Sequence, residues 1–303
     1  MKKSTAIWLI TATALTLAGI VLFAVTMSLG DWDFMKLSTT RFTTTTHEID
    51  EKFENVIITA STADIKILPS EDGVAKVICH EDVKQEHRVE VVDGTLKISA
   101  TDSRAWYEMI GISFETSTIT LYLPNAATSE INISLTTGDA EISDVICQNL
   151  TLNATTSDAT LKNLSVGANI VIDGTTGDIA LENTSVLGDV SIKMTTSDIT
   201  LENVAASGNV NLKNTTGDAN LKNVIISGNL TVTSGTGDVR FNRCDAENIY
   251  VTVRTGDVKG NLLSDKIFYV TSTTGDTKYP NTQPGGRCEI TTTTGDVNVT
   301  IQK

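Results

Sequence analysis

Two hydrophobic rules divide the chain. Residues 6–30 are free of charge, long enough to cross a bilayer as a helix, which needs about 20 residues. Beyond them, apolar and polar positions alternate with period two, the mark of half-buried strands. Aligned on one aspartate, this alternation repeats at Asp139, Asp158, Asp178, Asp198, Asp218, Asp238, Asp257, Asp276 and Asp296, always 19 or 20 residues apart. Eight residues before the Asp stands an apolar residue, from Ile131 and Leu150 through to Phe268 and Cys288; six before it stands another, from Ile133 to Ile290. Three after it come Ile142, Leu161, Leu181, Leu201, Leu221 and Phe241, then Gly260, Tyr279 and Val299. Thr lies two before the Asp in all ten copies, counting an isolated one at Asp64. The residue between is Gly in seven, Ser157 and Ser197 in two, and Ala63 in one.

Each repeat reads as strand, tight turn at Thr-Gly-Asp, strand, and a second turn such as Ser207-Gly208-Asn209. About twenty residues leave no room for a crossover helix, and one such unit cannot bury its apolar face alone, so units must stack. At about 4.8 Å per coil, nine coils make a rod roughly 40 Å long. The expected fold is all-β: a parallel β-helix, or β-solenoid, of about nine 19–20-residue coils with an inserted antiparallel β-hairpin cap, preceded by one transmembrane helix. Repeated hairpins in an antiparallel sheet would alternate too, but a constant period favours like stacked on like. Small residues before the Asp fit that stacking, since a larger side chain would crowd the next coil. Residues 74–123 break the period: 74–92 and 95–99 flank Asp93-Gly94, a hairpin signal, and 118–123 is a further strand. This insertion would cap a terminal coil whose strands are otherwise unpaired. Residues 31–46, rich in Thr and aperiodic, read as a juxtamembrane spacer, giving the division 1–30, 31–46 and 47–303.

Lys2 and Lys3 precede the apolar run and Asp31 and Asp33 follow it, with Trp8 and Trp32 near its ends. By the positive-inside tendency this predicts a single-pass protein of the cell membrane, N-terminus cytoplasmic and the rest extracytoplasmic. A cleaved signal peptide is the rival; residues 23–28 offer no clear small-x-small site, and no Cys follows to carry a lipid. Aromatic residues are only 5% of the chain, so the core must rest on Val, Ile and Leu. The formal net charge of −14 argues against nucleic acid, whose phosphates need clustered Lys and Arg.

The column Asp139, Asp158, Asp178, Asp198, Asp218 and Asp238 is the first candidate for chemistry. Neighbouring carboxylates would repel by about 1 kcal/mol per pair in water. Turn N–H groups or a Thr hydroxyl could offset that, as in an Asx-turn. So could calcium, although each turn offers one acid and no glycine-rich nonapeptide is present. The turn reading is preferred, with no cofactor expected. Asn163, Asn183, Asn203 and Asn223 form a second column suited to a hydrogen-bonded corner, and stacking sets Lys162 against Glu182 and Glu202 against Lys222. The outward rows, such as Tyr250-x-Thr252-x-Arg254, are too irregular to match ice. Cys147, Cys244 and Cys288 lie coils apart, beyond the roughly 7 Å reach of a disulfide; only a bridge to Cys79 is left open, and Cys288 reads as a buried thiol. His80, Glu81, Asp82 and His87 could be imagined around zinc, but no strong spacing supports it, so surface positions are expected. No nucleophile elbow, phosphate loop or His-Glu-x-x-His occurs. Trp106 and Tyr107 could contact a ligand or partner, or fill the cap.

The N-terminal helix followed by Ser61-Thr62-Ala63-Asp64, the inserted hairpin and the run of Thr-Gly-Asp coils resembles a bacterial family of β-strand-repeat proteins of unknown function that carries an adhesin label. The resemblance covers most of residues 49–303 and implies a membrane-attached, surface-facing solenoid, with no established catalytic residues to carry over. The expected function is a non-enzymatic, membrane-anchored adhesin or binding scaffold of the cell envelope. It would be held in the membrane by residues 6–30 and take an envelope polymer, glycan or protein as ligand. The alternatives are an envelope-stress or regulatory accessory protein acting through a membrane partner and, remotely, a carbohydrate-active β-helix enzyme.

Overall fold

The computed structural model describes residues 3–33, 38, 40–102, 113–124, 128–282 and 284–302. One helix, α1 (Lys3–Leu29), precedes 26 strands joined in a single sheet system. α1 is long and apolar enough to cross a membrane, and most of its apolar side chains, Ile7, Leu15 and Leu22 among them, are uncovered, though Met27 is buried. Its threonines bond inward: Thr11, Thr13, Thr16 and Thr26 each donate to the carbonyl four residues earlier, so these hydroxyls need no water.

The repeats stack as a parallel β-solenoid of about 8 turns. Like sits on like: Val190 beside Val210 and Ile192 beside Leu212, then Ile199 beside Ala219 and Leu201 beside Leu221. These columns fill one continuous interior. Six coils, from Asp139 to Asp238, have a left-handed corner where the sequence suggests only a hydrogen-bonded one. Five residues after the Asp the chain turns through positive φ, at Asp144 (57°), Asn163 (54°), Asn183 (48°), Asn203 (54°), Asn223 (52°) and Arg243 (57°). Asn and Asp tolerate that region better than most residues. The turn swings a third stretch inward, burying Val204 and Ala206 or Val224 and Ile226. The Asn column was thus visible in the sequence, but its backbone role was not. The amides bond along the axis as anticipated, Asn203 Nδ2 to Asn183 Oδ1 and Asn223 Nδ2 to Asn203 Oδ1, both at 2.9 Å. Lys162 meets Glu182 at 3.5 Å and Lys222 meets Glu202 at 2.6 Å.

Nine strands build the N-terminal end: β1 (Phe42–Ile49), β2 (Asn55–Ala60), β3 (Ala63–Pro69), β4 (Ala75–Asp82), β5 (Gln85–Val92), β6 (Thr95–Asp102), β7 (Ser117–Leu123), β8 (Thr128–Thr137) and β9 (Ala140–Ser143). The Asp64 coil, β2 and β3, lies directly on β8 and β9. The chain between runs outward and adds β6 and β7 to the far side of that coil, with β5 antiparallel to β6 and β4 antiparallel to β7. The β5–β6 turn is at Asp93 (φ 51°) and Gly94 (φ 70°), as the dipeptide predicts. Residues 74–92, read as one run, are two strands, because Asp82 Oδ1 accepts the Lys84 N–H at 3.1 Å and turns the chain. β1 takes in residues 42–46 of the segment read as a spacer and pairs them with β4, Thr44 opposite His80.

The far end departs from serial stacking. The strand at Asn248–Thr255 pairs with Gly286–Thr294, and the intervening strand Lys266–Thr274 lies outermost. The last coil in sequence is therefore the second-to-last in space. Composition explains it: the Asp296 coil has Cys288, Ile290, Val297 and Val299 to bury, whereas the Asp276 coil offers Thr277 and Tyr279, both exposed.

Candidate functional site

The Asp column forms an unbroken hydrogen-bonded ladder. Oδ1 of each Asp accepts the backbone N–H of the Asp on the next coil: Asp64 from Asp139 (2.9 Å), Asp139 from Asp158 (3.1 Å), Asp178 from Asp198 (2.8 Å), Asp198 from Asp218 (2.7 Å). It follows the spatial order at the far end, Asp257 accepting from Asp296 at 2.7 Å and Asp296 from Asp276 at 2.9 Å. The expected donors were those of the Asp's own turn; the actual donors are one coil away. A hydrogen bond to a charged group is worth about 1.5–3 kcal/mol, enough to offset about 1 kcal/mol of repulsion. Toward the far end cations join in. Arg240 bridges Asp218 Oδ2 (2.5 Å) and Asp238 Oδ2 (2.6 Å), and Lys259 reaches Asp257 Oδ2 at 2.6 Å. Partial burial pushes the Asp218 carboxyl up, but Arg240 and the Asp238 N–H outweigh it and hold it below its usual value. Lys259, then the Asp296 N–H, lowers Asp257. The proposed calcium ligands thus spend Oδ1 on the next coil.

The face leading into these turns carries an open groove of about 550 Å³. It crosses the Asp64, Asp139, Asp158, Asp178 and Asp198 coils, over small floor positions Ala60, Ala154 and Gly174. Its rim presents Ser134, Asn153, Asp173 and Lys193 with rows of Thr, and Asp173 and Lys193 are cross-strand neighbours on adjacent coils. The strand Val190–Lys193 ends early, and the buried Met194 side chain packs into the space that Gly174 leaves beneath the groove. Sequence reading passed over this groove. The signal was the small residue four before Asp158 and Asp178, against Leu135 and Met194 at the same place in the flanking coils.

A second cluster lies inside the N-terminal cap. Cys79 and Glu81 point inward from β4, and His87 points inward from β5; all three are buried, as is Asp82, correcting the surface positions expected for Glu81, Asp82 and His87. Strand alternation is the cause, since Gln85 and His87 occupy the inner face of β5. Glu81 Oε2 accepts from the His87 backbone N–H at 2.7 Å and lies 2.6 Å from its Nδ1. His80 does stay at the surface, 3.0 Å from Glu115. All four cysteines are free and buried. Burial, with Glu81 nearby, pushes the Cys79 thiol up to about 12; burial pushes Cys147 to about 11 and Cys288 to about 12. Trp106 and Tyr107 lie outside the described residues.

Compared with known proteins, the sequence profile described as Toastrack DUF4097 matches residues 53–207 and again 184–303, nearly the whole β-structure. The chain belongs to the Toastrack DUF4097 family. The two matches overlap within the stack, as expected when like coils repeat. No curated protein matches. Among solved structures, this Toastrack chain is similar to a candidate adhesin from Bacteroides fragilis NCTC 9343 at 16% identity and TM-score 0.38, covering 88% of this chain and 99% of that one. It is also similar to a candidate adhesin from Parabacteroides distasonis ATCC 8503, at 16% identity and TM-score 0.44 over 88% and 98%. A candidate lipid-binding protein from the same strain follows at 12% and 0.41, again over 88% and 98%.

Proposed function

We propose that this Toastrack protein is a non-enzymatic binding module of the bacterial cell surface, held by residues 6–30 in the membrane with its solenoid, residues 47–303, on the outer side. The groove carries the reading. It is shallow, crosses five coils, and offers hydroxyls, an amide, a carboxylate and an ammonium along one line. Such a row suits an extended polar polymer, above all a glycan of the cell envelope, better than a compact substrate. The repeated turn aspartate comes once per coil, which is what stacking demands and not what a convergent catalytic site needs. The test uses the full chain in lipid nanodiscs against an array of envelope polysaccharides, peptidoglycan fragments and host glycans. Saturable binding is expected, weakened roughly tenfold by Asp173→Ala or Lys193→Ala through loss of one charged hydrogen bond. Silence across the array, or binding indifferent to both substitutions, would sink the reading.

A further inference from the structure

We propose that Cys79, Glu81 and His87 form a zinc site that clips β4 to β5 in the N-terminal cap. One sulfur, one carboxylate oxygen and one ring nitrogen lie within 4.8 Å of one another, and the residues are exposed by only 0%, 2% and 6%. The placement follows from topology. Cys79 and Glu81 are two apart on β4, so both face inward, and His87 faces them from β5. β4 bonds to β1 and β7, and β5 bonds to β6. The described ladders thus leave the apolar core, this cluster and the short turn to join β4 to β5.

Charge and ligand type point the same way. The Glu81–His87 hydrogen bond would be complete without sulfur, yet a thiol completes the trio. A divalent cation would balance a Cys79 thiolate and the Glu81 carboxylate together, with the thiol proton released to solvent. Zinc bonds of about 2.0–2.3 Å set tetrahedral ligand atoms roughly 3.3–3.7 Å apart, within a short shift of the present spacing. Sulfur with imidazole suits zinc over calcium or magnesium, and water would fill the fourth position. Deep burial assigns the metal a structural role.

The proposal does not depend on the groove. Full chain purified in detergent, dialysed against micromolar zinc and then against metal-free buffer, should retain one zinc per chain by mass spectrometry. Cobalt in its place should give a thiolate charge-transfer band. Cys79→Ser should abolish the band and weaken zinc binding at least tenfold, His87→Ala should weaken it similarly, and Cys147→Ser should change neither. Less than a tenth of an equivalent of zinc in the wild type, or a cobalt band that survives Cys79→Ser, would overturn it. If Cys79→Ser fails to fold, the wild-type stoichiometry and the presence or absence of the cobalt band decide.

Discussion

Replacing Gly217 by alanine tests what the recurring turn requires. Gly217 holds φ at 125°, and a Cβ there would press on the carbonyl oxygen of Ser197 in the coil below, well inside the 3.0 Å that real Cβ atoms keep. Two costs combine. Left-handed backbone strain for a non-glycine residue is about 1–3 kcal/mol, and forcing an atom into packed structure adds about 1–3 kcal/mol. Gly73 separates them, since it holds φ at 75° with nothing within 4 Å of its would-be Cβ. Gly73→Ala therefore carries strain alone, about 1–2 kcal/mol, and Gly217→Ala about 3–5 kcal/mol. The gain from a stiffer unfolded chain is common to both and cancels. Denaturant unfolding of the full chain in detergent, followed by circular dichroism, compares the pair. Because stacked repeats can lose cooperativity, hydrogen exchange supplies the local readout. The Asp218 amide, bonded to Asp198 Oδ1 at 2.7 Å, should lose protection in Gly217→Ala and keep it in Gly73→Ala. Equal costs, or an unperturbed Asp218 amide, would refute the claim that coil-on-coil contact selects glycine here.

Asp198→Asn preserves the acceptor and removes a charge, so its denaturant midpoint should stay near wild type; Asp198→Ala orphans the Asp218 N–H and should cost about 1–3 kcal/mol. Asn as costly as Ala would refute the ladder's role as an acceptor chain. Calcium at millimolar levels should leave Tm unchanged, and a rise of several degrees would restore the cation reading of these carboxylates. Asp257 has a depressed native pKa, so its contribution is present above the unfolded value of about 3.9 and lost as pH falls through the native one. Lys259→Met should then lower stability at pH 6, with the gap to wild type closing in acid; a gap that persists fully protonated would point to packing instead. Cys147, buried with its thiol at about 11, should resist iodoacetamide at pH 8 until the protein is denatured, and rapid native labelling would show that its coil opens.

Much of this was legible because stacking imposes one residue type per column. The inward alternation, the buried thiol at Cys288 and the ion pair of Lys222 with Glu202 all follow once the period is known. What escaped depends on relations that the period does not contain. A one-coil ladder between Asp198 and Asp218 is chemically as reasonable as a bond within the turn, and only the backbone path chooses. Asn183 advertises a polar corner, but its φ of 48° is a matter of conformation. Order along the axis is degenerate, since the Asp257 coil presents the same columns to Asp276 as to Asp296; Thr277 and Tyr279 held the hint. The groove and the Cys79 cluster arise where the repeat falters, and there a pattern-based reading has least to say.

The exchanged order of the last two coils bears on how the molecule is made. A solenoid stacked in sequence can close like a zipper as its chain emerges. Here the strand Lys266–Thr274 is synthesised before its seat exists, because Gly286–Thr294 must first lie against Asn248–Thr255. The earlier strand can occupy that place meanwhile, in a register that sets Asp276 on Asp257 as well as Asp296 does. Completion of the stack therefore waits for Gly286–Thr294, and any early occupant of its place must yield to it.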